Sequence, residues 1–446
     1  MEPSLPVLAL GAISLLSEFN AQRVLDIQHA HSVDGEVPDD KLDAMESRLF
    51  STRVVRPWIQ TAASKLATAT GLTAGQRCNA RVFESRIATG RPAADGGSMR
   101  VRIYDPVAGR DAAEGRVVVY FHGGGFTFGE LGMNEGLHCA LSEEASATVV
   151  SVEYRLAPRH PFPAAHNDAL AAVVDVIRAG VPRRNGQARS AATKIVVGGD
   201  SAGGNLATGI LAAAAMLPGG PPAAATLFPD ASLKWLAEPP SPPVAAWNAD
   251  AAATVAASLR ERVVGGLLVY PTALASVNRG SMVDRSDGHL LTRGAVRAFW
   301  EIYYRGKGIQ ARGTPWLANT TIFTDANLVV DRRAQPGGAL RAALEAGRAL
   351  DWTLPPTLSL LPQYDVLHDD GVALVEILRR ATPQDPARHA VTHIPRATHG
   401  FVSVPEFFPE TWPLAKDSAV AFLDGAFGRP AAPGHTKAAP GRAEEL

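Results

Sequence analysis

Gly199-Asp200-Ser201-Ala202-Gly203-Gly204-Asn205 sets one serine between glycines, directly after the apolar run Ile195-Val196-Val197-Gly198. With Ile195 to Val197 read as a buried strand and Asn205 to Met216 as a helix, Ser201 falls on the tight turn between them. Such a turn needs small neighbours, because its backbone is strained and closely approached by other chain segments. The serine Oγ then stands exposed at the carboxyl end of the strand. A Gly-x-Ser-x-Gly segment also occurs in ordinary glycine-rich turns, so the flanking sequence decides what this one is.

Upstream, Arg116 to Phe121 reads as a β-branched strand running into His122-Gly123-Gly124-Gly125-Phe126, whose bare backbone can aim N–H groups at an anion. Downstream lie Tyr364-Asp365-Val366-Leu367-His368-Asp369-Asp370-Gly371 and then Thr398-His399-Gly400-Phe401. Serine, then acid, then histidine is the chain order of α/β-hydrolases and differs from the orders of the chymotrypsin and subtilisin designs. These motifs resemble the hormone-sensitive-lipase-like carboxylesterases, the branch of the α/β-hydrolases with an HGGG loop. Glu153 to Ala165 (EYRLAPRHPFPAA) is similar to that family's Y-R-L-A-P-E-H-P-F-P-A run, with Asp168 following; Arg159 departs from it where glutamate is usual. Thr314 to Asn319 resembles the S-P-L-A segment that precedes the acid strand.

The resemblance implies an α/β-hydrolase fold: a mostly parallel central sheet with flanking helices and a helical cap. The alternation of strand-like and helix-like runs independently points to a parallel sheet with crossover helices: Val117–Phe121, Thr148–Val152, Asn167–Arg178, Ile195–Val197, the helix from Asn205, and Val263–Val269. Residues 1–97 are expected to form an N-terminal cap segment, with Met99 to Tyr104 as the first strand. Residues 98–428 form the catalytic domain, interrupted at about 218–257 by a proline- and alanine-rich insertion carrying Phe228 and Trp235. Residues 429–446, rich in proline, alanine and charge, are expected to be a disordered tail. Val296 to Tyr304 reads as a further cap helix.

A serine hydroxyl is a poor nucleophile at neutral pH and needs a base within hydrogen-bond reach. His399 is the candidate, since an imidazole can take that proton and return it to the leaving alcohol. A buried carboxylate should fix its tautomer; Asp365, Asp369 and Asp370 are within range in sequence, and the family's D-x-L-x-D-E-G pattern points to Asp365. For the oxyanion of a tetrahedral intermediate, the backbone amides of Gly124, Gly125 and Ala202 are the expected donors, with Gly123 the alternative to Gly125. His122 is read as ordering its loop and Asp200 as a structural hydrogen-bonding residue. His160, His166, His289, His368, His389 and His393 receive no role.

Hydrophobic residues make up 46% of the 446 and the formal net charge is −1, which excludes a basic nucleic-acid-binding surface. Cys78 and Cys139 show neither metal-ligand nor C-x-x-C spacing, so no disulfide and no metal site is expected. Phosphate-cradling and dinucleotide fingerprints are absent, so no cofactor is expected. Leu5 to Leu16 is apolar but too short to span a bilayer, and lacks the basic flank of a signal peptide. Membrane contact is not expected, the location is expected to be cytoplasmic, and the sequence leaves room for a homodimer.

The resulting expectation is a cofactor-independent carboxylic-ester hydrolase that forms an acyl-enzyme on Ser201, with a small-molecule ester of short to medium acyl chain as substrate. Acyl transfer in a biosynthetic pathway, or lactone or amide hydrolysis, would use the same acyl-enzyme. A non-catalytic small-molecule receptor on the same fold would lack the histidine that this chain carries at His399.

Overall fold

The computed structural model describes residues 78–89, 97–107, 115–162, 164–216, 249–272, 280–286, 290–304 and 354–428, together with Lys41, Ala44 and Met45. Among the described residues, eight strands form one sheet in the order β1-β2-β4-β3-β5-β6-β7-β8. These are β1 (Arg81–Ala88), β2 (Ser98–Asp105), β3 (Arg116–Phe121), β4 (Thr148–Val152), β5 (Lys194–Asp200), β6 (Val263–Val269), β7 (Thr357–Tyr364) and β8 (His389–Thr398). β1 pairs antiparallel with β2 and β2 antiparallel with β4, while every pairing from β4 through β8 is parallel.

The parallel core follows from composition. All five residues of β4 (TVVSV) and all but the first of β3 (RVVVYF) are buried. Strands covered on both faces by helices need such near-continuous apolar runs rather than alternation. The covering helices are α1 (Glu135–Glu144), α2 (Ala164–Ala179), α3 (Ala202–Met216), α4 (Ala249–Arg262), α7 (His368–Ala381) and α8 (Trp412–Phe427), with the short α5 (Ser281–Asp284) and α6 (Arg293–Tyr304) lying between β6 and β7. Two apolar layers result, one holding Val119, Val197, Leu206 and Leu268, the other Val118, Val196, Leu267 and Val420.

The expectations from sequence need correction in three places. Residues 81–88, assigned by the sequence to the cap segment 1–97, form the edge strand β1 of the sheet. Its charged, largely exposed pattern hid it: Glu84 bridges Arg100 and Arg102 of β2, the kind of edge decoration that blocks further strand pairing. The end of the 218–257 insertion is also misplaced, because α4 starts at Ala249 and buries Val255 and Leu259. Its alanine run is helix-forming even though the composition around it is proline-rich. Residues 217–248, with Phe228 and Trp235, and likewise Leu5 to Leu16, Thr314 to Asn319 and the 429–446 tail, lie outside the described residues.

The third correction concerns the cysteines. Cys78 and Cys139 form a disulfide that ties the segment leading into β1 to the middle of α1. At a sequence separation of 61, no local spacing announces the bond; only the fold brings the two together. Among the described residues no helix is long and apolar enough to cross a membrane.

Candidate active site

Parallel strands expose their carboxyl ends on one side of the sheet, and open α/β sheets place their reactive groups there. β5 ends in Asp200 and delivers Ser201, β7 ends in Tyr364 and delivers Asp365, β8 ends in Thr398 and delivers His399, and β3 ends in Phe121 and delivers His122 to Gly125. Four segments far apart in sequence thus meet on one rim.

Ser201 occupies the turn between β5 and α3 with φ +54°, a left-handed backbone that a side-chain-bearing residue holds only when its surroundings impose it. They do so through the backbone: the Ser201 N–H donates to the Val269 carbonyl at 2.9 Å, and the Ser201 carbonyl accepts from Asn205 N–H at 3.1 Å and Thr272 N–H at 3.2 Å. A Cβ at Gly203 would collide with the Phe121 carbonyl, so the elbow packs backbone against backbone and excludes larger residues.

His399 Nε2 lies 2.9 Å from Ser201 Oγ and its Nδ1 lies 2.8 Å from Asp365 Oδ2. Asp365 is fully buried, and its other oxygen accepts the Leu367 backbone N–H at 2.8 Å. An ionised carboxylate only accepts, so Nδ1 carries the ring proton and Nε2 presents its lone pair to the serine hydroxyl. The structure therefore brings Asp365, and not Asp369, to the imidazole: Asp369 turns its carboxylate to the Ser281 N–H at 2.8 Å and to His368. Arg285 donates to the Asp365 carbonyl at 3.2 Å and Ser281 Oγ to the Val366 carbonyl at 2.7 Å, so α5 braces the turn that carries the acid.

On the glycine loop, the Gly123 N–H donates to Asp200 Oδ1 at 2.9 Å, so that amide is already committed. Gly124 (φ +111°) and Gly125 (φ +58°) adopt backbones that L-residues avoid and border the same cavity as Ser201. The loop is closed by the Gly124 carbonyl, which accepts from Thr127 and Phe128 N–H at 3.0 and 3.1 Å. Ala202 is the first residue of α3, where backbone amides have no partner within the helix and the helix dipole favours negative charge. His122 does order its loop: its ring stacks on Tyr154 with centroids 4.4 Å apart, Nδ1 lies 2.7 Å from the Gly123 carbonyl, and Tyr154 donates to the His122 carbonyl at 2.8 Å.

Asp200, the residue before the serine, is more than a local filler. Buried at 1% exposure, its Oδ1 accepts from Gly123 N–H, from Asn134 Nδ2 at 2.6 Å and from the Tyr120 hydroxyl at 3.3 Å, while Tyr270 reaches Oδ2 at 3.5 Å. Burial, and after it the charge of Asp200, pushes the Tyr120 phenol well above its ordinary value and keeps it a donor. Asn134, Tyr120 and Tyr270 carried no signal in the sequence, since none sits in a motif. His166, given no role from sequence, links the Tyr303 hydroxyl of α6 at 2.8 Å to Asn205 Oδ1 of α3 at 3.0 Å and so pins the overlying helix to the elbow helix.

The cavity over Ser201 is walled by Phe128, Leu290, Val296, Phe299, Trp300 and Val404, and among the described residues Ser201, Thr272, Asp200 and His399 add polar side chains to it. The helix expected over Val296 to Tyr304 is α6, which supplies the aromatic roof; Phe299 lies directly against Gly125. A largely apolar cavity of this kind suits an uncharged, largely apolar ligand, and it presents the serine hydroxyl, the imidazole and the glycine backbone to it.

Fold and constellation together define a serine hydrolase of the α/β type. Residues 118–403 match the family described as alpha/beta hydrolase fold. Esterase LipI of Mycobacterium tuberculosis is 31% identical over 307 residues, 69% of this chain and 72% of that protein. An ethyl acetate hydrolase of Pseudomonas putida is 28% identical over 316 residues, 71% of this chain and 75% of that one. In structure, esterase LipW from Mycobacterium marinum superposes with a TM-score of 0.56 at 23% identity, covering 85% of this chain and 90% of that one, a likeness of fold. The chain belongs to the hormone-sensitive-lipase-like carboxylesterase family and is an ester-hydrolysing enzyme.

Proposed function

We propose that Ser201 attacks the ester carbonyl, that His399 takes its proton and passes it to the leaving alcohol, and that Asp365 holds the imidazole in the required tautomer. Water activated by the same imidazole then attacks the acyl-enzyme, and the acid leaves. The amides of Gly124, Gly125 and Ala202 receive the oxyanion; Gly125 is favoured over Gly123 because the Gly123 N–H is taken by Asp200. The observation that carries this reading is the unbroken Asp365–His399–Ser201 line, with contacts of 2.8 and 2.9 Å, opening onto an apolar cavity.

Substrates are esters of short to medium acyl chain. Support comes from the uncharged aromatic wall, with Phe299 pressed against the glycine loop, and from the relative named for ethyl acetate hydrolysis. Hydrolysis is favoured over transfer, since the relatives are named hydrolases and esterases. For compartment, the Cys78–Cys139 disulfide favours an oxidising location over the cytoplasmic one expected from sequence.

A series of p-nitrophenyl esters from acetate to palmitate, run with wild type and Ser201→Ala side by side, tests the proposal. Activity should peak on short chains and vanish in the variant. Undiminished hydrolysis by Ser201→Ala overturns the assignment of the nucleophile, and a peak on palmitate overturns the chain-length reading.

A further inference from the structure

We propose that Asn134 is a positioning residue: its amide clips the loop carrying His399 to the elbow and the glycine loop, so that base, nucleophile and oxyanion donors keep one register. The inference rests on Ser201 and His399 acting as proposed above.

Asn134 precedes α1 and occupies its N-cap position, where an asparagine side chain ordinarily accepts a backbone N–H of the first turn. Here it makes no capping bond. The side chain turns inward instead, at 1% exposure, and is used at both ends. Its Nδ2 donates to Asp200 Oδ1 at 2.6 Å, and its Oδ1 accepts the Ser403 hydroxyl at 2.6 Å. Chemistry settles the orientation of the amide: a carboxylate can only accept, so the NH2 end must face Asp200, which leaves the carbonyl end for a donor.

Each end of this bridge touches a different catalytic segment. Asp200 adjoins Ser201 and holds the Gly123 N–H at 2.9 Å, which fixes the glycine loop. Ser403 lies in the 3-10 turn Phe401–Ser403 that directly follows His399 and Gly400, and its N–H bonds to the Gly400 carbonyl at 3.0 Å. From Gly123 through Asp200 and Asn134 to Ser403, the hydrogen bonds join the glycine loop, the elbow and the turn that follows His399. Tyr270 adds a second brace, its ring 4.5 Å from that of His399 and its hydroxyl 3.5 Å from Asp200. The local capping bond is given up for a contact spanning 269 residues of chain.

Removing the clip leaves each reacting group in place but frees His399 to drift relative to the oxyanion amides, and small misplacements of reacting groups lower the rate far more than they lower binding. Asn134→Ala and Ser403→Ala are therefore expected to lower kcat roughly 10- to 100-fold on p-nitrophenyl butyrate with KM changed less than about threefold. Ser403→Thr, which keeps the hydroxyl, restores most of the rate. Because both variants cut one chain of bonds, the double variant loses little more than the worse single one. Ser403→Ala removes a single hydroxyl and serves if Asn134→Ala fails to fold, as judged by a cooperative thermal melt. Folded variants with wild-type kcat, losses that multiply in the double variant, or a loss carried by KM would overturn the proposal. Ser201→Ala in the same assay separates the two readings: if it hydrolyses the ester like wild type, the underlying assignment has failed; if it is dead while Ser403→Ala is unimpaired, only the clip has.

Discussion

Asp365→Asn changes one atom of the site and should nearly silence it. Asp365 offers one oxygen to the Leu367 N–H and the other to His399 Nδ1, each at 2.8 Å, in a position with no solvent exposure. An asparagine must satisfy the same two neighbours with one oxygen and one NH2. The Leu367 N–H is a backbone donor and cannot become an acceptor, so the amide oxygen belongs there and the NH2 faces His399. The ring answers by accepting at Nδ1 and carrying its proton on Nε2, 2.9 Å from Ser201 Oγ. A protonated Nε2 cannot take the serine proton. Turning the amide over instead would set its NH2 against the Leu367 N–H, leaving a buried donor unpaired at about 1–3 kcal/mol.

A wrong tautomer at an otherwise intact triad lowers kcat by on the order of 10⁴ in the general Ser-His-Asp template. At about 1.4 kcal/mol per decade, that is about 5 kcal/mol of lost transition-state stabilisation. The assay is kcat/KM on p-nitrophenyl butyrate, paired with labelling of Ser201 by a fluorophosphonate, which should slow in parallel, and with a thermal melt to show that the fold persists. Asp369→Asn, made alongside, keeps an oxygen for the Ser281 N–H and should stay close to wild type. If folded Asp365→Asn retains activity within about tenfold of wild type, the tautomer argument fails, because the expected loss is on the order of 10⁴.

His138 is buried with neither ring nitrogen hydrogen-bonded among the described residues, wedged between Tyr104 and Tyr120 at centroid distances of 5.1 and 4.6 Å. Burial, then the charge of Arg102, lowers its pKa to about 3, so between pH 6.5 and 3 the unfolded chain binds a proton that the folded chain refuses. Stability therefore rises with pH across that window and is lost as pH falls through it. His138→Phe should flatten the acid limb of melting temperature against pH and raise stability near neutrality by about 1–3 kcal/mol through removal of unpaired polar atoms; an unchanged acid limb would refute the assignment. The disulfide closes a loop with a sequence separation of 61, for which chain entropy gives about 4 kcal/mol. Replacing both Cys78 and Cys139 with alanine should lower the melting temperature of the oxidised protein to that of the dithiothreitol-treated wild type, and a variant that melts like the untreated protein would show that the bond contributes nothing.

The site was legible where its chemistry is local and opaque where it is relational. Ser201 could be read because strand, turn and helix are contiguous and the neighbouring glycines answer a local steric demand. Asp365 and His399 follow the same logic at the ends of β7 and β8. The competition among Asp365, Asp369 and Asp370 could not be settled that way, since all follow one strand and only the position of the imidazole separates them. Likewise Gly123 and Gly125 differ in nothing that sequence records; the difference is a carboxylate 77 residues away that occupies one amide. β1 escaped notice because an edge strand has little to bury, so its pattern is set by charge pairs with β2 rather than by alternation. The disulfide escaped because its partners share no segment.

The same distinction separates Asp200 from Asp365. Both are fully buried carboxylates within the site, and both would count as candidate acids by burial alone. What differs is the kind of donor each one meets. Asp365 faces one imidazole, a ring that can hold one proton or two, whereas Asp200 faces a backbone amide, an asparagine and two phenol hydroxyls, that of Tyr120 pushed well above its ordinary value by burial. A carboxylate held by a titrating partner can stabilise a charge that appears and disappears during turnover. One held by fixed donors serves as an anchor, and around Asp200 the anchored groups are the glycine loop, the residue beside the nucleophile and, through Asn134, the turn that follows the base.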